Sequence, residues 1–165
     1  MIYITYPSAL QYWLTKNPKR PFKKINIRET LKPSAIEIRD IADALDLTLP
    51  LSLMVADHGQ HGRTSLCKYY TVPSNIAEGS FIRLNSEVSV ASPEFCFLLA
   101  AKSCEIPRLV EIGNALCAAY YLRGSLVQET RDPLTSVAKI KHYLEKSSNC
   151  HGIKKSSQGN PARDK

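Results

Sequence analysis

The chain has 165 residues, 44% of them hydrophobic and 22% charged, with a formal net charge of +7. That length suits one domain with tails, or two very small domains, and the composition is too apolar for a wholly disordered chain. No apolar run approaches the roughly 18 to 20 residues that span a bilayer, and Met1-Ile2-Tyr3-Ile4-Thr5-Tyr6-Pro7 lacks the basic start, long apolar stretch and cleavage site of a secretory signal, which predicts a cytoplasmic protein with no membrane partner.

In chain order, Ser8-Ala9-Leu10-Gln11-Tyr12-Trp13-Leu14 reads as a short helix, with Ser8 as its N-cap and Leu10, Trp13 and Leu14 on one face. An irregular connection containing Pro18 and Pro21 follows. A second helix begins at Pro33. Ser34 and Glu37 have capping-box spacing, and Ile38, Ile41, Ala42 and Leu45 then trace one packed stripe. After Pro50 the period changes: Leu51, Leu53 and Val55 alternate with Ser52 and Met54 as in a strand. Asp57 to Arg63 is a glycine-punctuated loop, Leu66–Val72 a tyrosine-rich strand. Turns are predicted at Pro73-Ser74-Asn75 and Glu78-Gly79, and a hairpin around Asn85-Ser86-Glu87 joins Phe81–Leu84 to Val88–Val90.

Ser92-Pro93-Glu94 is the clearest local signal. Ser at the N-cap, Pro at the first helical position and Glu beside it all favour a helix start. The residues that follow, Phe95 to Ala101, are apolar on nearly every side, so that helix is expected to be buried. A further helix opens at Pro107 and carries Leu109, Ile112, Gly113, Leu116, Cys117 and Tyr120 inward as far as Arg123-Gly124. A last helix is expected from Thr135 to Lys146, with Val137, Ile140, Tyr143 and Leu144 inward. Strands followed by helices indicate an α+β fold. The expected fold is a small antiparallel sheet of about four strands, then a three-helix layer, with two N-terminal helices. The expected divisions are a helix and basic connection at 1–32, a core domain at 33–146 and a disordered basic tail at 147–165.

Charge is uneven along the chain. Lys16, Lys19, Arg20, Lys23, Lys24, Arg28 and Lys32 against Glu29 give +6, Lys139–Lys165 gives +5, and the remainder sums to −4. Such patches attract phosphate backbones without sequence preference, or serve as solvated linkers. The linker reading fits the C-terminal end; both readings stand for Lys16–Lys32.

Chemistry motifs are mostly absent. There is no Gly-rich phosphate loop, no G-x-G-x-x-G and no G-x-S-x-G. A two-carboxylate nuclease centre needs an acid two residues before a lysine, on a strand. No Asp or Glu is so placed, and Glu37-Ile38-Arg39 offers only an arginine, within a predicted helix. His58 and His61, with Cys67 as a third ligand, have spacing open to zinc, but no C-x-x-C accompanies them and Arg63 and Lys68 lie nearby. The loop is therefore read as solvated or phosphate-facing, and neither metal nor cofactor is assigned. Tyr69 and Tyr70 beside Lys68 could stack on bases, although strand propensity accounts for them. The five cysteines form no disulfide framework, and Cys96 and Cys117 read as small buried hydrophobes.

Five segments together carry a resemblance: Ser8-Ala9-Leu10-Gln11-Tyr12-Trp13, Pro50-Leu51-Ser52-Leu53-Met54-Val55, Val90-Ala91-Ser92-Pro93-Glu94-Phe95-Cys96-Phe97-Leu98, Leu116-Cys117 with Tyr120, and Asp132-Pro133-Leu134-Thr135-Ser136-Val137. In that order they resemble a family of uncharacterised bacterial proteins related to the antitoxin and transcriptional regulator of abortive-infection type IV toxin–antitoxin systems. The resemblance runs from about Ser8 to Lys155. It implies a middle domain that commonly precedes a PD-(D/E)XK endonuclease-like domain, in a regulatory or phage-defence setting. Residues 1–48 do not show the full winged helix of the regulators, and the chain after Lys155 turns polar, which reads as a truncated or frameshifted member. The expected function is a non-catalytic, antitoxin-like module binding DNA, a toxin or another partner protein, or both. Phosphate contacts are expected from Lys16, Lys19, Arg20, Lys23, Lys24 and Arg28, with Arg63 and Lys68 assisting. The alternatives are a metal-dependent endonuclease relative and a purely protein-binding domain.

Overall fold

A computed structural model describes residues 1–57, 59, 62, 64–123 and 127–147. The expected α+β class is what it shows, with a larger sheet than the periodicity indicated. The elements in order are β1 (Ile2–Ile4), α1 (Ser8–Thr15), β2 (Lys24–Ile25), α2 (Ala35–Leu45), β3 (Leu51–Val55), β4 (Cys67–Thr71), β5 (Phe81–Arg83), β6 (Val88–Ala91), α3 (Pro93–Ala100), α4 (Ile106–Cys117), β7 (Tyr120–Arg123), β8 (Val127–Thr130) and α5 (Val137–Lys146). Six strands form one sheet in the order β2-β5-β6-β1-β3-β4, and β7 pairs β8 in a separate hairpin. The six-stranded sheet is mixed, not antiparallel. β1 runs parallel to β6 and β3 parallel to β4, while β1–β3, β2–β5 and β5–β6 are antiparallel.

Two strands of this sheet, β1 and β2, are missing from the sequence reading, and β1 lies in its middle. Ile2, Tyr3 and Ile4 sit between β6 and β3, in register with Val88, Ser89 and Val90 on one side, and Tyr3 and Ile4 with Met54 and Leu53 on the other. All three are buried, as central strands require. The register also explains an aromatic contact. Tyr3 and Phe81 lie two strands apart, and the small Ser89 and Ala91 of the intervening β6 let their rings meet edge-to-face with centroids 4.8 Å apart. Phe95 of α3 packs on Phe81 at 5.5 Å, Tyr143 of α5 packs on Phe95 at 6.2 Å, and the Tyr143 hydroxyl is 2.6 Å from Ser80 Oγ. This file of rings ties the sheet to two helices.

α3 starts where its signal placed it. Ser92 Oγ accepts from the Phe95 amide and all eight helical residues are buried. α2 carries the reciprocal capping box of Ser34 and Glu37. Asn75 and Gly79 take positive φ at the two predicted turns. At α1 the expectation needs correction. Pro7 occupies the N-cap position, and Ser8 Oγ instead accepts from the Ser52 amide, fastening α1 to β3. A second correction concerns α4, which stops at Cys117. Ala118 is extended at φ −75°, ψ 144°, and Tyr120–Arg123 is a strand facing Val127–Thr130. Among the described residues, no helix is long and apolar enough to cross a membrane.

Candidate nucleic-acid interface

The basic connection after α1 is held to the sheet mainly by backbone. The Arg83 amide donates to the Lys23 carbonyl (2.9 Å), Lys24 and Ile25 pair with Ile82 and Phe81, and the Arg28 amide donates to the Tyr3 hydroxyl (3.0 Å). The Leu31 amide donates to the Met1 carbonyl (3.1 Å), and Asn26 Oδ1 accepts from the Gly79 amide (2.6 Å). With its backbone so engaged, the segment presents the side chains of Lys23, Lys24 and Arg28 to solvent. Gly79 is required here. Its φ is +72°, and a Cβ would sit 3.3 Å from Lys24 Cβ and Cδ, so its bare backbone lets the lysine stem lie across the turn.

These three cations line one side of a half-open groove of about 770 Å³, joined by Arg83 of β5 and Lys146 of α5. Among the described residues, two carboxylates, Glu29 and Glu78, share the lining. Arg83 is oriented by its own Nε–H, which donates to the Asn85 carbonyl (2.9 Å). Lys24 Nζ stands 3.9 Å from Oε2 of Glu94, a buried carboxylate whose Oε1 accepts from Thr135 Oγ1 at 2.7 Å.

The remaining expected contacts lie apart from this groove. Lys16 pairs with Asp46 at 3.5 Å, Lys19 is exposed, and Arg20 packs on the body, its guanidinium 4.8 Å from the Phe22 ring centre and Nη2 donating to the Pro133 carbonyl. None of these three lines the groove. Lys68 is on β4, at the opposite sheet edge from β2. Five strand spacings separate those edges, roughly 24 Å at about 4.8 Å each. It lines a smaller cavity of about 320 Å³ with the exposed Tyr70, at the start of α1 and β3. Arg63, His58 and His61 lie outside the described residues. Arg83 and Lys146 were not among the expected contacts. Arg83 is an isolated charge in the sequence, and Lys146 closes the last predicted helix, next to the basic tail.

Cys67, the third residue of the spacing open to zinc, is buried on β4, and burial pushes its thiol up to about 11. Cys96 is fully buried and raised further by the same cause, with the Glu94 charge adding to it. Cys117 is half-buried and raised chiefly by burial. Among the described residues, no three His, Cys, Asp or Glu side chains gather where they could share a metal ion. No family model matches the chain, and no curated protein or solved structure matches it.

Proposed function

We propose that this protein is a non-catalytic binding module that docks on the phosphate backbone of nucleic acid through the groove lined by Lys23, Lys24, Arg28, Arg83 and Lys146. One observation carries the reading: cations from three separate parts of the chain line one half-open groove, against two carboxylates among the described residues. Phosphate contacts of this kind give affinity and little sequence preference. The resemblance to antitoxin-type regulators supplies the setting, a cytoplasmic regulatory or defence role in which DNA and a partner toxin are the two natural targets.

The test is fluorescence anisotropy with a labelled duplex across a potassium chloride series. Three to four phosphate contacts give a log–log salt slope of roughly −3 to −4. The double variant Lys23→Ala/Arg28→Ala should lower the magnitude of that slope by about two. Affinity that ignores salt, or that survives the double variant unchanged, removes the groove as the docking surface.

A further inference from the structure

Away from the basic groove, Arg131 follows β8 and turns inward beneath α1 and α4. It is 7% exposed. Its Nη1 donates to the main-chain carbonyls of Trp13 (2.6 Å) and Lys16 (3.2 Å), and Nη2 donates to that of Ala115 (3.1 Å). These carbonyls stand at the C-terminal ends of α1 and α4, where helix dipoles are negative. The guanidinium is thereby held, but not neutralised. Among the described residues no carboxylate is within ion-pair distance of it, and its buried Nε–H has no acceptor. Burial lowers its pKa from the ordinary arginine value and the nearby charge of Arg20 pushes the same way, against an opposing pull from Tyr121.

Arg131 also lines a half-open cavity of about 570 Å³, a size suited to a small organic ligand. Leu14, Ala115, Tyr120 and Tyr121 give it an apolar wall, with Asn114 beside them. The Tyr121 ring centre is 5.6 Å from the Arg131 guanidinium, and its hydroxyl donates to Glu129 Oε2 at 2.6 Å, which fixes the ring. Tyr120 is half exposed. Glu111 at the rim is paired with Arg108 at 2.8 Å, so its charge is already balanced.

We infer that this cavity binds a small aromatic carboxylate, its flat body against Tyr120, Tyr121 and Leu14 and its carboxylate toward the Arg131 guanidinium. The choice of carboxylate follows from the charge: a guanidinium that no carboxylate among the described residues neutralises lines a cavity with an apolar wall, and a planar organic anion supplies the missing charge. The cavity is separate from the basic groove and shares no lining residue with it.

The experiment uses the intact chain with 1-naphthoate as probe and the neutral 1-naphthalenemethanol as its counterpart, read by calorimetry and ligand-observed NMR. Naphthoate should bind about tenfold tighter than the alcohol, the worth of a charge-assisted hydrogen bond. Tyr120→Ala and the cavity-filling Ala115→Leu should each weaken naphthoate roughly tenfold. The groove variant Lys23→Ala/Arg28→Ala should leave its affinity unchanged. Arg131→Gln removes the charge, so a folded variant should no longer prefer the acid; the two wall variants decide the matter if it does not fold. Equal binding of acid and alcohol, naphthoate binding indifferent to both wall substitutions, or no binding at all would overturn the assignment.

Discussion

Residues 88–101 and residues 16–32 are stretches of similar length that attach to the same sheet in opposite ways. Every residue from Val88 to Ala101 is buried, and side chains do the holding: Phe95 bridges Phe81 and Tyr143, while Ala91 and Ser89 make room for the rings. From Lys16 to Lys32 most side chains are exposed, and it is largely backbone that holds the segment: Lys23, Arg28 and Leu31 bond to Arg83, Tyr3 and Met1 through main-chain groups. Substitutions in the first stretch therefore act on stability. Those in the second leave the backbone bonds in place and act on what the exposed charges meet.

The sharpest way to break this contrast is Phe95→Ala. The ring is fully buried at the middle of the aromatic file, and its removal should cost about 3–5 kcal/mol in urea unfolding. A loss below about 1 kcal/mol would mean that the file closes over the gap and is not the tie between sheet and helices. At the other pole, Lys23→Ala, at an exposed lysine of the same groove, should change unfolding by no more than about 0.5 kcal/mol, as exposed substitutions usually do, while weakening duplex binding. Lys68→Ala is the matched control across the sheet and should alter neither quantity.

Ser92→Ala comes next in size. The hydroxyl caps the Phe95 amide at the start of a wholly buried helix, so the loss should be about 1 kcal/mol, within the roughly 0.5–2 kcal/mol range for N-caps. Equilibrium unfolding reads it, and an unchanged midpoint would show that another acceptor takes over the amide.

Legibility in the sequence followed the range of the interactions. Ser92-Pro93-Glu94, the Ser34–Glu37 box and the Phe81–Val90 hairpin are set by neighbours a few residues apart, and each appears where the sequence indicates. Ile2–Ile4 is too short to display a period, and its place in mid-sheet comes from partners some 50 and 86 residues away. Tyr120 falls on the stripe of α4, which made a continued helix attractive. The β-rich Tyr-Tyr-Leu run instead pairs with Val127–Thr130 once Ala118 turns extended. The site divided along the same line. Lys23, Lys24 and Arg28 stand out as a charge run, whereas Arg83 and Lys146 join them only through the β2–β5 pairing and the end of α5. Lys68 was grouped with them on charge alone, and the topology puts it on the far edge.

The smallest expected effect tests the α2 capping box, a local device at the margin that depends on ionisation. The Ser34 amide donates to Glu37 Oε2 at 2.7 Å, and this bond, with the Ser34 hydroxyl contact behind it, holds the Glu37 carboxyl below its ordinary value of 4.5. A carboxyl depressed in the folded state stabilises only while ionised. Its contribution is therefore complete above the unfolded value and is lost as pH falls through the lower folded value. Glu37→Gln keeps an oxygen able to accept from the amide and removes the charge. The gap in urea midpoint between the two proteins should accordingly be present at pH 7 and shrink toward zero near pH 3. A gap of the same size at both pH values would assign the box to geometry alone, and would make α2 independent of charge in a way that the basic groove, whose cations act only through charge, is not.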